Sequence, residues 1–371
     1  MTQNSKRLES LDILRGFDMF LLVCLQPILM SIGQIWDNPT YHSFLHQFDH
    51  EVWEGLRIWD LIMPLFLFMT GVSIPFSLDN KRENSKNEIY LHLFRRFIIL
   101  WVIGMFMQGN LLGLDFKNIK LFSNTLQSIA IGYLITSILY LNFNIKTIAY
   151  ISISLLAINS IPFLINNDFS EQNNFAILLD KQILGYFMDG AYWIDNNNWK
   201  FSSVYNYSWI WSSLTFIVTV ALGCFCGKII KDNRDNSPNK TLIPLLILGL
   251  GCLVIGFLFG LYIPIIKRIW SSSMTLVTGG YCILILTLFY FIIDVKQWGA
   301  KLGWLKIYGM NSILAYVLGE HLNFRSIVHV FTYGLESHFP AYKDQILVIG
   351  NYLIIFLILR YLYNKKIIFK I

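Results

Sequence analysis

Charge is scarce in this sequence. Of its 371 residues only 14% are Asp, Glu, Lys or Arg, where an ordinary soluble domain has about 25%. With 55% of the residues hydrophobic, that shortage excludes a soluble enzyme and a nucleic-acid-binding domain. Cysteine is scarce too. The five present (Cys24, Cys224, Cys226, Cys252, Cys282) all fall inside apolar runs, where a thiol behaves as a small hydrophobe. A disulfide scaffold is excluded, and neither a disulfide nor a metal site is expected: Cys224-Phe225-Cys226 points its thiols in different directions on a helix, and no matching His or Cys pair stands at ligand spacing. No internal repeat is found either, which withdraws sequence support from the inverted halves of many transporters.

What the chain has instead is apolar blocks of about twenty residues, each long enough to cross the ~30 Å hydrocarbon core as a helix, and not the short alternating segments of an outer-membrane barrel. The fold expected is all-α: one polytopic transmembrane helical bundle over 1–371, with longer extracytoplasmic loops about 36–57 and 167–204. Hydropathy gives ten spans near 17–35, 58–78, 93–111, 123–142, 145–166, 205–227, 241–262, 271–293, 307–322 and 342–363. The first follows Lys6, Arg7 and Arg15 but leads to no small-residue cleavage site, so it reads as a retained helix. Ten spans put both termini on one side. Twenty of the 29 Lys and Arg residues, Lys81 and Arg82 and the C-terminal Lys370 among them, fall in loops on that side. The positive-inside rule makes it cytoplasmic, and the net charge of +6 then needs no nucleic acid.

Histidine is distributed the other way. His92 alone is cytoplasmic, whereas His42, His46, His50, His321, His329 and His338 lie at or beyond the outer face; any proton-transfer chemistry is expected there, the alternative being that extracytoplasmic loops simply tolerate histidine. The first hairpin collects further polar groups: Arg7, Asp12, Arg15 and Asp18 at the cytoplasmic entrance, Gln26 midway, then His50, Glu51, Glu54, Arg57 and Asp60. Asp12, Arg15 and Asp18 stand three apart and suggest a charged ladder on one helical face. Gln26-Pro27 and Asp60 with Pro64 each embed a polar group beside an interrupted backbone, which suggests a polar passage between two helices. The stretch 167–204 carries Tyr186, Phe187, Tyr192, Trp193 and Trp199, and reads equally as a sugar-facing platform or as an interfacial aromatic belt.

Arg7 to Gly16 (RLESLDILRG), His50 to Leu56 (HEVWEGL) and Trp59 to Phe68 (WDLIMPLFLF) resemble the heparan-α-glucosaminide N-acetyltransferase family. Leu126 to Leu134 (LQSIAIGYL), Pro264 to Ser273 (PIIKRIWSSS) and Gly309 to Val317 (GMNSILAYV) extend the resemblance, in order, to about residue 320. It implies transfer of the acetyl group of cytosolic acetyl-CoA, as donor substrate, to the amine of a terminal glucosamine of a heparan-type saccharide across the membrane. The family's essential histidine precedes its W-x-G-L motif, a position that His50 holds. Its asparagine on the first core helix falls at Gln26; its arginine in L-Q-R-I-A is Ser128 here; and its D-P-E-G segment corresponds to Asn206-Tyr207-Ser208-Trp209, where the acidic residue is missing.

The residues agree with that chemistry on their own account. An imidazole with a pKa near 6.5 can take the proton from a sugar ammonium at neutral pH, which makes His50 the expected general base, with Asp60 beside it in the same hairpin. A helix-embedded carboxamide, Gln26 or Asn311, can donate to the developing oxyanion. Direct transfer within a ternary complex and a route through acetyl-His50 are both open. Arg15, Arg95 and Arg96 are candidates for the CoA phosphates, since guanidinium matches phosphate bidentately; Gln127 and Asn311 are grouped with them as donor contacts, and Asp12, Trp53 and Glu54 as acceptor contacts. Expected partners are acetyl-CoA, an amino-sugar or glycosaminoglycan-derived saccharide, the bilayer of a bacterial inner membrane and a second copy of the chain. The competing readings are an O-acyltransferase acting on a surface polysaccharide hydroxyl, and a solute transporter.

Overall fold

The computed structural model describes residues 8–79, 85–108, 111–195, 197–203, 207–234 and 236–369. Lys6, Arg7, Lys81, Arg82, Asn206 and Lys370 lie outside the described residues. The main elements in chain order are α1 (Glu9–Gly33), α2 (Ile58–Leu78), α3 (Lys86–Gln108), α4 (Thr125–Asn142), α5 (Ile145–Asn166), α6 (Phe175–Leu184), the strands β1 (Ala191–Trp193) and β2 (Trp199–Phe201), then α7 (Ser213–Asp232), α8 (Asn239–Gly260), α9 (Ser272–Val295), α10 (Leu305–Met310), α11 (Ser312–His321), α12 (Arg325–His338) and α13 (Pro340–Asn364). The bundle is all-α apart from the antiparallel β1–β2 hairpin, in which Tyr192 pairs with Lys200.

Nine helices among the described residues are long and apolar enough to cross a membrane: α1 to α5, α7 to α9 and α13. In hydrocarbon a helix is the open-ended structure that satisfies all its own backbone groups, so uninterrupted apolar runs become helices. Two expectations need correction. The first span begins at Glu9 and not at 17, because Asp12 and Arg15 lower the hydropathy without breaking the helix. The ninth, 307–322, is broken at Asn311, whose backbone (φ −125°, ψ 44°) leaves helical geometry and splits it into α10 and α11. Hydropathy averages over such a break and cannot register it.

The described residues divide into two compact units. The first takes those of Met1–His50, Arg57–Ile62 and Leu286–Lys370. Here α1 meets α10 backbone to backbone. A Cβ added at Gly16 would stand 1.8 Å from the Leu305 carbonyl oxygen, and one at Gly309 would stand 2.0 Å from that of Asp12. Small residues at helix crossings serve this kind of approach where lipid offers no hydrophobic driving force between helices. Ile13, Ile293 and Leu305 form the core of the contact, with Phe17, Phe20 and Phe289 around it. One turn of α1, Leu21–Leu25, is a π-helix. It precedes Pro27, which has no N–H to donate and whose ring would crowd the carbonyl one turn back; the widened turn makes room for it.

The second unit holds Glu51–Leu56 and Met63–Ile285. Its centre is the contact of α2 with α7, where Gly71 faces the Val220 carbonyl and Gly223 that of Phe68; an added Cβ would come to 1.9 Å in each case. A polar clasp ties α2, α4 and α7: Asp79 accepts from Lys231 at 2.8 Å and from the Tyr140 hydroxyl at 3.1 Å. The motif Pro264 to Ser273 is a corner ahead of α9. Ser271 donates to the Pro264 carbonyl at 2.8 Å and accepts from the Ile266 N–H at 3.1 Å, while the Trp270 indole donates to Thr219.

Candidate active site

His50 follows a short turn, His46–Phe48, that the first unit grips from two elements. From α1, the Gln26 carboxamide donates to the Phe48 carbonyl at 2.8 Å. From the start of α2, the ring of the buried Trp59 packs against Phe48 with centroids 6.0 Å apart, and the Arg57 guanidinium reaches the His46 carbonyl at 3.4 Å. The local sequence explains the second grip. Arg57 caps the first turn of α2 and Asp60 stands at its third position, so the carboxylate turns back to accept the Arg57 N–H at 3.0 Å, half of a capping box.

The other Asp60 oxygen lies 2.8 Å from His50 Nδ1. Asp60 is fully buried, whereas the His50 side chain is 45% exposed. A buried carboxylate on Nδ1 selects the tautomer with the proton on that nitrogen and the lone pair on Nε2, and it stabilises the imidazolium formed when Nε2 takes a proton. Histidine and aspartate thus form an oriented dyad. Gln26 serves as a brace for the turn that carries the histidine, using one of its amide hydrogens.

The remaining sequence candidates are divided between the two units. Trp53 and Glu54 belong to the second unit: the Trp53 indole donates to the Phe169 carbonyl at 2.8 Å, and Glu54 forms an isolated bridge with Ile266. Gln127 is fully buried in its own capping box. Its oxygen accepts from the N–H groups of Ser123 and Asn124, and its nitrogen donates to the Leu121 carbonyl. Asn311 donates to the Ile367 carbonyl and accepts from the Phe369 N–H, which staples the chain end to the α10–α11 break. For Gln127 and Asn311 a contact to CoA would have to displace these bonds. Arg96 lies on α3 with its guanidinium 4.1 Å above the Tyr133 ring, while its neighbour Arg95 is exposed. Asp12 is buried on α1, and Arg15 is half-buried on the same helix.

The charged ladder does not extend to Asp18. Both of its carboxylate oxygens are buried without a hydrogen-bond partner among the described residues. Each three-residue step turns the helix back by about 60°, so the rungs drift apart around the axis.

One carboxyl escaped the sequence reading. Asp180 on α6 is fully buried and accepts from the backbone N–H groups of Trp209 at 2.6 Å and Ile210 at 3.2 Å, in the segment leading into α7. Burial pushes its carboxyl up to about 7, although the N–H groups of Trp209, Ile210 and Trp211 pull the other way. The helix that supplies this carboxyl lies about thirty residues before the Trp209 and Ile210 N–H groups it binds, a pairing with no local signal. The aromatic loop is built up similarly: Tyr186 packs on Phe187, Trp193 and Trp199, so most of these rings meet one another, while Tyr192 stays exposed.

Residues 7–229 match the family described as Domain of unknown function (DUF5009). The chain is also similar to the curated heparan-alpha-glucosaminide N-acetyltransferases of Mus musculus, at 24% identity over 99% of this chain and 61% of that protein, and of Homo sapiens, at 25% over 98% and 60%. It therefore spans about three fifths of the length of these relatives.

Proposed function

The chain belongs to the DUF5009 family and is distantly related to heparan-alpha-glucosaminide N-acetyltransferase, and from that we propose that it is a transmembrane N-acetyltransferase of the bacterial inner membrane. The donor is cytosolic acetyl-CoA. The acceptor is the amine of a terminal glucosamine on a saccharide derived from heparin or heparan sulfate, on the non-cytoplasmic side. The observation that carries the reading is the His50–Asp60 dyad, at the position where the resemblance calls for a catalytic histidine.

The amine reaches the site as an ammonium ion and cannot attack until it loses a proton. His50 Nε2 takes that proton, and Asp60 stabilises the resulting imidazolium. The amine nitrogen then bonds to the thioester carbon, and the C–S bond breaks. The imidazolium returns its proton to the departing thiolate and the acylated nitrogen releases its second proton to solvent, giving the amide, free CoA, a neutral histidine and one proton. Direct transfer is favoured over an acetyl-His50 intermediate. The N-terminal end of α1, and with it Arg15, faces the cytosol.

The test is acetyl transfer from labelled acetyl-CoA to glucosamine and to a heparan-derived disaccharide with an unsubstituted amine. Wild type should form product, and His50→Ala that still folds and binds CoA should form none. Failure of both acceptors with wild type overturns the amino-sugar assignment; full activity of the alanine variant overturns the site. Charge reversal at Arg15 and at Arg95, made separately, should weaken acetyl-CoA binding several-fold, and unchanged binding in both would remove the arginines from the donor site.

A further inference from the structure

Helix α12 is packed inside out. Its side chains Ile327, Val330, Phe331 and Leu335, at helical spacing, are 51%, 74%, 84% and 49% exposed. The opposite side carries Arg325, His329, Thr332 and Glu336, and this is the side that packs inward. Glu336 is 4% exposed and accepts from Thr332 at 2.6 Å and His329 at 2.7 Å, with Lys343 of α13 at 3.7 Å. Arg325 pairs with Asp344 at 3.3 Å. A helix on a water-facing surface shows the reverse pattern, with its apolar stripe toward the core.

The register against α13 gives the direction of α12. Near its end Glu336 meets Lys343, at its first turn Val328 packs on Gly350, and just before it the Phe324 N–H donates to Asn351 at 2.7 Å. The helix therefore runs antiparallel to the first turns of α13, and its start lies about 12 Å along that span at 1.5 Å per residue. On α13 the outward residues Ile349, Leu353 and Leu357 are also about half exposed, as expected for a lipid-facing stripe of a candidate span. The 17 residues from Leu305 to His321 reach only about 25 Å, short of the ~30 Å core.

We infer that α12 is immersed in the bilayer, with Ile327, Val330, Phe331 and Leu335 against lipid acyl chains and its polar side locked onto α13. The continuity with the outward stripe of α13 selects acyl chains as the occupant, and the bonds from His329 and Thr332 hold the buried Glu336 carboxylate on the side away from it. The inference is independent of the catalytic assignment.

The five native cysteines are buried, so a cysteine introduced at the surface can be labelled selectively. A nitroxide on Phe331→Cys, in the full chain in phosphatidylethanolamine–phosphatidylglycerol vesicles, should collide with oxygen several-fold more readily than with a water-soluble nickel chelate. Ser337→Cys, in the exposed last turn, is the reference, and Val330→Cys repeats the measurement should the first variant fold poorly. Preferential access of the nickel chelate at 331 and 330 would overturn the inference in favour of a water-facing helix. Low access to both agents, with dipolar broadening that vanishes on dilution with unlabelled protein, would overturn it in favour of a second copy of the chain.

Discussion

Asp60 serves two donors at once, the Arg57 N–H and His50 Nδ1, and that double duty makes its amide variant informative. In Asp60→Asn the single oxygen stays with the backbone N–H, which can only donate, and the new NH2 faces His50. Nδ1 must then accept, the ring proton moves to Nε2, and the base is lost with little change of shape. We expect kcat to fall by a factor on the order of 10²–10⁴, the usual worth of general base catalysis, with KM and CoA binding nearly unchanged. A variant with wild-type kcat would separate the dyad from the chemistry. Gln26→Ala should cost about 1 kcal/mol of stability, as one hydrogen bond is lost, and lower kcat by releasing the turn that ends at His50; Gln26→Asn, one methylene shorter, should do the same. At this scale the sequence pointed to His50 through the motif it precedes and to Asp60 as a carboxylate embedded near Pro64, and the structure brings the two within 2.8 Å, but it offered Gln26 as an oxyanion donor where the carboxamide braces the Phe48 carbonyl. It was not legible for Gln127 and Asn311, whose carboxamides are spent on the Ser123–Asn124 turn and on the Ile367–Phe369 end.

The helices meet where glycines let backbones touch. Gly16→Val and Gly223→Val each drive a side chain into a carbonyl of the facing helix. Overpacking of this kind typically costs 1–3 kcal/mol, and more where backbone must move. The yield of folded protein should drop sharply for both, whereas Gly251→Ala, with open space around its Cβ, should lose no more than a surface substitution; equal losses at all three positions would mean that the glycines act through something other than packing. Asp180 gives a pH dependence. Its carboxyl titrates near 7 when folded and near 3.9 when unfolded. The folded state therefore binds more protons between these values, and the stabilising contribution, complete below about pH 4, is lost as pH rises through 7. Thermal unfolding followed from pH 4 to 8 should show that decline in wild type and a flatter profile in Asp180→Asn. Hydropathy reveals the long helices of this chain because a mean over twenty residues is what defines a span. It missed the break at Asn311 and the whole of α12, whose polar inward face cancels its apolar outward one in any such mean.

Over the whole molecule, the family match ends at residue 229, yet the unit that carries the dyad draws on Leu286–Lys370 as well. A chain stopped at 229 would keep His50, Asp60 and Gln26 while leaving α1 without α10. We expect such a chain to be degraded or aggregated, and a stably inserted, CoA-binding product would refute that dependence. No local pattern announces this long-range closure, since the residues that meet are separated by most of the sequence.

The Ser10 N–H donates to Asp294, 284 residues away, so α1 leaves the ribosome long before the partner it packs against. At 5–20 residues per second α1 waits roughly 15 s to a minute for α10 to be made. During that time its glycine face and the buried Asp12 and Asp18 have no native surroundings. Insertion and assembly are thus separated in time, and a membrane chaperone that shelters a single polar-faced helix for that interval would govern how much of this protein a cell can make.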